Sequence, residues 1–296
     1  MKEIISAEHD GSLLRNYILN KCGISHKLLT RLKAREDGMI LNGQRVTVRS
    51  ILKAGDVLEL NFEDTENSDI EPIRLETMPE ILYEDAELII LNKPPYMPTH
   101  PSHNHHSDTL ANAVAYIFKE RGEVFRFRAI TRLDKNTSGT VLIAKNSKSA
   151  SILSSMMEKG MIDKKYLAVC RGSLPDSFTV NKPIKREKES IITRIVCEDG
   201  DGQSAVTHFS KICEYNRNTL LSVTPITGRT HQIRVHLKHF GFPILGDELY
   251  GKASEEIGRQ ALHARELTLH FPDGRVLSIR APLFRDMKDL FPNQEF

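Results

Sequence analysis

A chain of 296 residues with 40% hydrophobic and 27% charged residues is long enough for one large domain plus a small one, and its composition argues against global disorder. The small net charge of +2 hides a segregation: residues 1–62 carry 10 Lys and Arg against 7 Asp and Glu, residues 63–80 carry 1 against 7, and the remainder 30 against 25. Two mildly basic blocks around an acidic connector permit a polyanionic partner. The four cysteines, Cys22, Cys170, Cys197 and Cys213, form no Cys-x-x-Cys pair and read as reduced thiols, while the N-terminus has no apolar signal core and no run reaches bilayer-spanning length. A cytoplasmic protein that does not enter the membrane is expected.

In chain order, Leu13, Leu14, Tyr17 and Ile18 recur at helical spacing, and a second helix starts near Ser25 with Leu28, Leu29 and Leu32 inward. Its outward face then shows Lys27, Arg31, Lys33 and Arg35, which is either a solvated surface or a polyanion contact. Short strands are predicted over 39–41, 46–48 and 57–62, the first two joined by Asn42-Gly43, a strong hairpin signal. Residues 63–80 are acidic and Pro-containing, and read as a linker that lets its flanking blocks move.

From residue 81 onward a buried strand is predicted over 88–91, ended by Pro94-Pro95. The loop behind it holds His100, His103, His105 and His106 without a cysteine, so no metal is expected there. Ser107 or Asp108 is expected to cap a helix with an apolar stripe of Leu110, Val114, Ile117 and Phe118. The run RAITRLDKNTSGTVLIAK then sets Asp134 on a tight turn at a strand end, two residues after Arg132. That carboxylate either bonds its own turn or acts as a nucleophile or base kept ionised by a neighbour. A helix over 148–159 follows, then a strand over 164–169 with Tyr166 and Ala168 on one face. A charged hairpin or excursion is expected over 183–202, strands over 204–211 and 220–225, and a helix after Thr227-Gly228-Arg229-Thr230 with Ile233, Leu237 and Phe240 at core spacing. Arg234 lies about 100° round that helix from Ile233, and a half-buried Arg requires an anion. Two strands meeting across Pro272-Asp273-Gly274 end the pattern.

Residues 10–62, through ILNGQRV and LKAGDVLEL, resemble the S-four RNA-binding domain, although Leu14-Arg15-Asn16 departs from the Arg-Leu-Asp that often opens it. Residues 81–283 resemble the RluA family of pseudouridine synthases through ILNKPPYMPTHPS, TRLDKNTSG, KKYLAVCRG, PITGRTHQIRVHLKHFGFPILGDELYG and RQALHARELTLHFP, in family order. Thr131 stands where that family usually has His, and Pro95-Tyr96 replace a common Ala-Gly. The resemblance implies an α+β fold with a mixed, mostly antiparallel central sheet, helices on one side of it and a cleft across it. It divides the chain into an RNA-binding module (1–62), an acidic linker (63–80) and a catalytic domain (81–296).

The implied reaction turns uridine into pseudouridine within RNA, ribosomal RNA of the large subunit being favoured over tRNA, with no cofactor and no metal. By resemblance Asp134 is the essential carboxylate, Arg234 the cation beside it and Tyr166 the aromatic group against the uracil. Arg132 would fill the space left by an extruded base, Arg229 and His231 near a helix N-terminus would contact phosphates, and Leu267 would wall the pocket. Lys27 and Arg31 would touch RNA from the small module. A monomer is the default expectation. The rival readings are an RNA-binding assembly factor that has lost catalysis and a metal-dependent RNA hydrolase built on the histidine loop.

Overall fold

The computed structural model describes residues 1–62, 69–187, 192–198 and 200–295, without the side chain of Lys27. The first part of the expected linker, the tip of the 183–202 hairpin and any contact of Lys27 therefore lie outside the described residues.

Residues 1–62 carry their own sheet and their own core. The strands are β1 (Lys2–Ile4), β2 (Met39–Leu41), β3 (Gln44–Arg45) and β4 (Val57–Leu60), ordered β1-β4-β2-β3. The helices are α1 (Leu14–Asn16), which runs on into a wider π-helical turn over Tyr17–Lys21, and α2 (His26–Ala34). Ser25 caps α2, its Oγ accepting from the Leu28 N–H at 3.3 Å. Leu14, Tyr17, Ile18, Leu28, Leu29 and Leu32 are buried against Met39, Leu58 and Leu60. β1 was not anticipated, and β3 falls two residues earlier than 46–48, because Asn42-Gly43 makes a two-residue turn that pairs Leu41 with Gln44 at once.

The larger body is built on a nine-stranded sheet. Its strands are β5 (Glu80–Glu84), β6 (Leu88–Lys93), β7 (Ser138–Ala144), β8 (Ile162–Arg171), β9 (Ser177–Asn181), β12 (Val206–Tyr215), β13 (Asn218–Pro225), β14 (Leu262–His270) and β15 (Val276–Arg280). The order is β5-β6-β7-β14-β8-β13-β12-β9, with β15 also pairing β14. Only β7 and β14 run parallel among the described pairings of this sheet. The expected charged hairpin is present as β10 (Ile184–Arg186) against β11 (Arg194–Val196).

Four helices complete the body: α3 (Leu110–Glu120), α4 (Ser147–Glu158), α5 (Gln232–His239) and α6 (Arg285–Lys288). The cap of α3 is Thr109, not Ser107 or Asp108, because Thr109 and Asn112 exchange hydrogen bonds in a capping box. Helices cover both faces of the sheet, which corrects the one-sided expectation. Ile89, Leu91, Val141 and Ile143 meet Val114 and Phe118 of α3, whereas Leu88, Ile90, Leu142 and Ala144 meet Leu153 and Met156 of α4. Every residue of β6 and β7 is buried, so neither face could be left to water.

The two blocks touch. The Ser25 N–H donates to Ser151 Oγ at 2.6 Å, and Ser147 Oγ donates to the Phe62 carbonyl at 3.0 Å. The later part of the expected linker is also pinned to α3, since Asn112 donates to the Glu71 carbonyl at 2.9 Å and accepts from the Ile73 N–H at 3.2 Å.

Candidate active site

The site draws on the turn before β7, on β8 and on the loop between β13 and α5. β7 begins just after the Asp134 turn, Tyr166 sits within β8, and six residues separate the end of β13 from the start of α5. Because β7, β14, β8 and β13 are neighbours in the sheet, residues far apart in sequence open onto one cavity of about 870 Å³.

The Asp134 turn is held from below almost residue by residue. Thr99 Oγ1 donates to the Leu133 carbonyl at 2.9 Å, and the Thr137 N–H closes the turn on the Asp134 carbonyl at 3.1 Å. Lys93, fully buried, donates to the carbonyls of Pro94, Met97 and Lys135. Burial, with the nearby Arg259 charge, pushes its pKa down to about 7, while the charge of Asp134 opposes that. Arg259, also buried, donates to the Asn136 carbonyl at 3.1 Å and is clamped by Asp286. Ser138 Oγ bonds His263 Nδ1 at 2.9 Å. Gly139 has φ +113°, and a Cβ there would lie 2.3 Å from the Ala264 carbonyl oxygen. Only glycine admits that approach of β7 to β14.

Asp134 Oδ2 accepts from Arg234 Nη1 at 3.0 Å. The other edge of that guanidinium is gripped by Asp247, Nε to Oδ2 at 2.7 Å and Nη2 to Oδ1 at 2.8 Å. Asp247 also takes the Leu249 and Tyr250 N–H groups. Arg234 is 6% exposed. Burial works against its charge, but the Asp247 hydrogen bonds and the two carboxylates outweigh that and raise its pKa. Asp134 lines the cavity, and its Oδ1 accepts no hydrogen bond from the described residues.

Tyr166 lines the cavity opposite this pair. Burial, then the charge of Asp134, raises the pKa of its phenol, so it stays protonated at neutral pH. Arg132 lies exposed at the mouth and donates to Thr230 Oγ1 at 3.0 Å. Arg229, also at the mouth, reaches the Ser204 carbonyl at 3.0 Å and borders a second cleft with Lys185, Arg186 and Arg194 of the hairpin.

Two expectations change. Leu267 does not reach the cavity: it is 1% exposed and packs with Leu88, Ile162 and Leu269, and the apolar wall is supplied instead by Ile162 and Leu262. A bulge in β14 between Ala264 and Glu266 shifts the register ahead of Leu267. His231 does not point outward to a phosphate position. It has φ +58°, faces inward with Nε2 3.7 Å from Asp134 Oδ2, and bonds Tyr250 through Nδ1 at 2.8 Å. Arg31 is exposed on α2 in the small module.

Asp247, Tyr250 and the cavity-lining Lys164 were not singled out from sequence. A half-buried Arg234 called for an anion, and Asp247 is a second one, 13 residues on. The histidine loop meets protein partners: His105 pairs with Asp108 at 2.5 Å and lies 3.3 Å from Lys135 Nζ, His106 bonds the His103 carbonyl, and His100, which lines the cavity, packs edge-on against Phe127.

Residues 87–239 match the family model described as RNA pseudouridylate synthase. The chain is 40% identical over 277 residues to the "uncharacterized RNA pseudouridine synthase YjbO" of Bacillus subtilis, covering 92% of this chain and 96% of that one. It is 32% identical over 300 residues to the "ribosomal large subunit pseudouridine synthase D" of Buchnera aphidicola, covering 96% and 89%. The human RNA pseudouridylate synthase domain containing 1 has a similar fold, with a TM-score of 0.59 over 72% of this chain and 86% of that one at 24% identity.

Proposed function

The chain belongs to the RNA pseudouridylate synthase family, in its RluA branch, and is an RNA pseudouridine synthase; from that premise we propose that Asp134 is its essential carboxylate and large-subunit ribosomal RNA its substrate. The observation that carries the first half is the asymmetry of Asp134, with Oδ2 held by Arg234 and Oδ1 accepting no hydrogen bond from the described residues, in a cavity that Tyr166 also lines. The name of the Buchnera relative supports the second half.

Pseudouridine formation breaks the bond from ribose C1′ to uracil N1, turns the base, joins C1′ to C5, removes the C5 proton and leaves a proton on N1. Whether the carboxylate attacks the ribose, attacks the base or takes a ribose proton, it must be ionised, and Arg234 held by Asp247 supplies a fixed positive charge for that. The Tyr166 ring offers the detached uracil a stacking face, worth roughly 1–3 kcal/mol. Its raised pKa suits a neutral hydrogen-bond donor and not a phenolate base. Arg132 and Arg229 at the mouth are placed to meet the strand from which the nucleotide is drawn, and the extrusion costs a few kcal/mol. Arg31 and Lys27 on the small module would add affinity at a distance.

The test is pseudouridine mapping at single-nucleotide resolution on total RNA from wild type, a deletion strain and that strain rescued with Asp134→Asn. Ribosomal sites that vanish on deletion and stay absent with the Asn variant are expected. Rescue by the Asn variant would sink the role of Asp134, and a lost site confined to tRNA would sink the substrate.

A further inference from the structure

Granting that Asp134 is the essential carboxylate, we infer that His231 is a positioning residue that secures Asp134 Oδ2 alongside Arg234 through its Nε2–H, and that Tyr250 fixes the tautomer this requires. His231 occupies the N-cap position of α5 but makes no side-chain capping bond. It also adopts a left-handed backbone conformation, φ +58° and ψ +17°, that non-glycine residues take up sparingly and chiefly where function requires it. The result of that backbone turn is an imidazole aimed at the reaction centre.

Geometry selects the tautomer. Nδ1 lies 2.8 Å from Tyr250 Oη, which also accepts the Arg194 N–H at 2.9 Å. Either the phenol donates to Nδ1 or Nδ1–H donates to the phenol. The second arrangement would point the Nε2 lone pair at Asp134 Oδ2, 3.7 Å away, and set two electron-rich atoms against each other. The first puts an N–H there. Tyr250 is itself fixed by the Asp247 loop that accepts its N–H, and its ring lies under the Arg234 guanidinium at 4.9 Å. Asp247 thus organises both groups that approach Asp134 Oδ2, Arg234 directly and His231 through Tyr250. Burial keeps His231 neutral near pH 7, with Arg234 and Arg194 acting in the same direction and Asp134 and Asp247 against it. The 3.7 Å separation is longer than a hydrogen bond, and the positioning bond requires it to shorten in the substrate complex. With both donors on Oδ2, Oδ1 is the oxygen presented to the nucleoside.

The tautomer is read directly by long-range ¹⁵N–¹H correlation of histidine-labelled full-length protein, with His231→Gln assigning the signals. A proton on Nε2 is expected, and a proton on Nδ1 overturns the inference. The functional arm uses release of tritium from C5-labelled ribosomal RNA of a deletion strain. His231→Ala and Tyr250→Phe should each lower kcat roughly tenfold with KM nearly unchanged, as for one lost positioning bond. His231→Gln, which keeps an N–H near the Nε2 position, should recover most of that loss. A raised KM with intact kcat would mark His231 as a phosphate contact, and equal losses in Gln and Ala would mark a packing role; either result overturns the inference. Asp134→Asn in the same assay separates the premise: if it still releases tritium, the reading of Asp134 fails, whereas a dead Asn variant beside an unimpaired His231→Ala refutes the positioning role alone.

Discussion

Arg234 joins two carboxylates, donating to Asp134 at 3.0 Å with one edge while Asp247 holds the other at 2.7 and 2.8 Å. The planar fork of arginine allows this double grip, and a lysine ammonium can reproduce the charge but not the orientation. Arg234→Lys should therefore keep more activity than Arg234→Ala, and the Ala variant should need a higher pH to reach its plateau. Asp247→Asn should fall between them, since the guanidinium keeps its charge and loses its anchor. Rate against pH for the three variants checks this. Equal loss in Lys and Ala with unchanged pH dependence would remove the electrostatic role.

The phenol of Tyr166 is held protonated by burial and by Asp134, so its ring should matter more than its hydroxyl. Tyr166→Ala should raise KM by roughly 10- to 100-fold, the equivalent of losing one stacked base, while Tyr166→Phe should raise it much less. The kcat profiles of wild type and Tyr166→Phe should run parallel through the alkaline range. If the Phe variant abolishes an alkaline dependence seen in wild type, the phenolate is the base that takes the C5 proton.

Gly139 tests the link between fold and site. Its φ of +113° and the 2.3 Å approach of a hypothetical Cβ to the Ala264 carbonyl mean that Gly139→Ala must push β7 from β14 or twist the turn carrying Asp134. A loss of about 2 kcal/mol or more is expected by urea denaturation. Any soluble Gly139→Ala protein should also have lost most of its turnover.

Local pattern made much of this legible. The capping Ser25, the stripe of Leu28, Leu29 and Leu32, the alternation around Tyr166 and the turn at Asp273-Gly274 each follow from interactions within a few residues. The ordered motifs pointed to Asp134, Tyr166 and Arg234, and the structure brings all three to one cavity. What escaped depends on long-range geometry. The inward turn of His231 is set by its backbone angle and by Tyr250, the exclusion of Leu267 by a bulge upstream of it, and the two-sided helix cover by burial of strands whose alternation carries no polar face. The first two have no signature in residue spacing, whereas the third was foreshadowed by the unbroken apolar run at 88–91.

Buried neutral histidines set the acid limit of stability. His263, bonded to Ser138 and to the Ala281 carbonyl, has its pKa pushed down by burial from 6.5 to about 3; burial lowers those of His231 and His236 as well. Between those two values the unfolded chain binds the His263 proton and the folded chain does not. Stability is therefore lost as pH falls below 6.5, by up to about 1.4 kcal/mol per pH unit for each such group. Urea midpoints at pH 7.5 and 5.5 should show the drop, and His263→Gln should flatten it. A wild-type midpoint that does not fall over this interval would contradict the prediction.

The small module and the cavity are connected along α4. Its first turns meet the module through Ser147 and Ser151, and its last residues, Met157 and Glu158, line the cavity. Ser151, which meets the start of α2, lies six residues before Met157, about 9 Å along the helix, so only an RNA fragment short enough to stay within the cavity avoids the basic face of α2. Arg31→Glu with Lys33→Glu should therefore leave kcat and KM on such a fragment nearly unchanged. On a long RNA the same pair should weaken binding and reduce the slope of log affinity against log salt by about 1.4 to 1.8, the loss of two phosphate contacts. Equal impairment on short and long RNA would mean that α2 acts through the fold of the catalytic body and not by touching RNA.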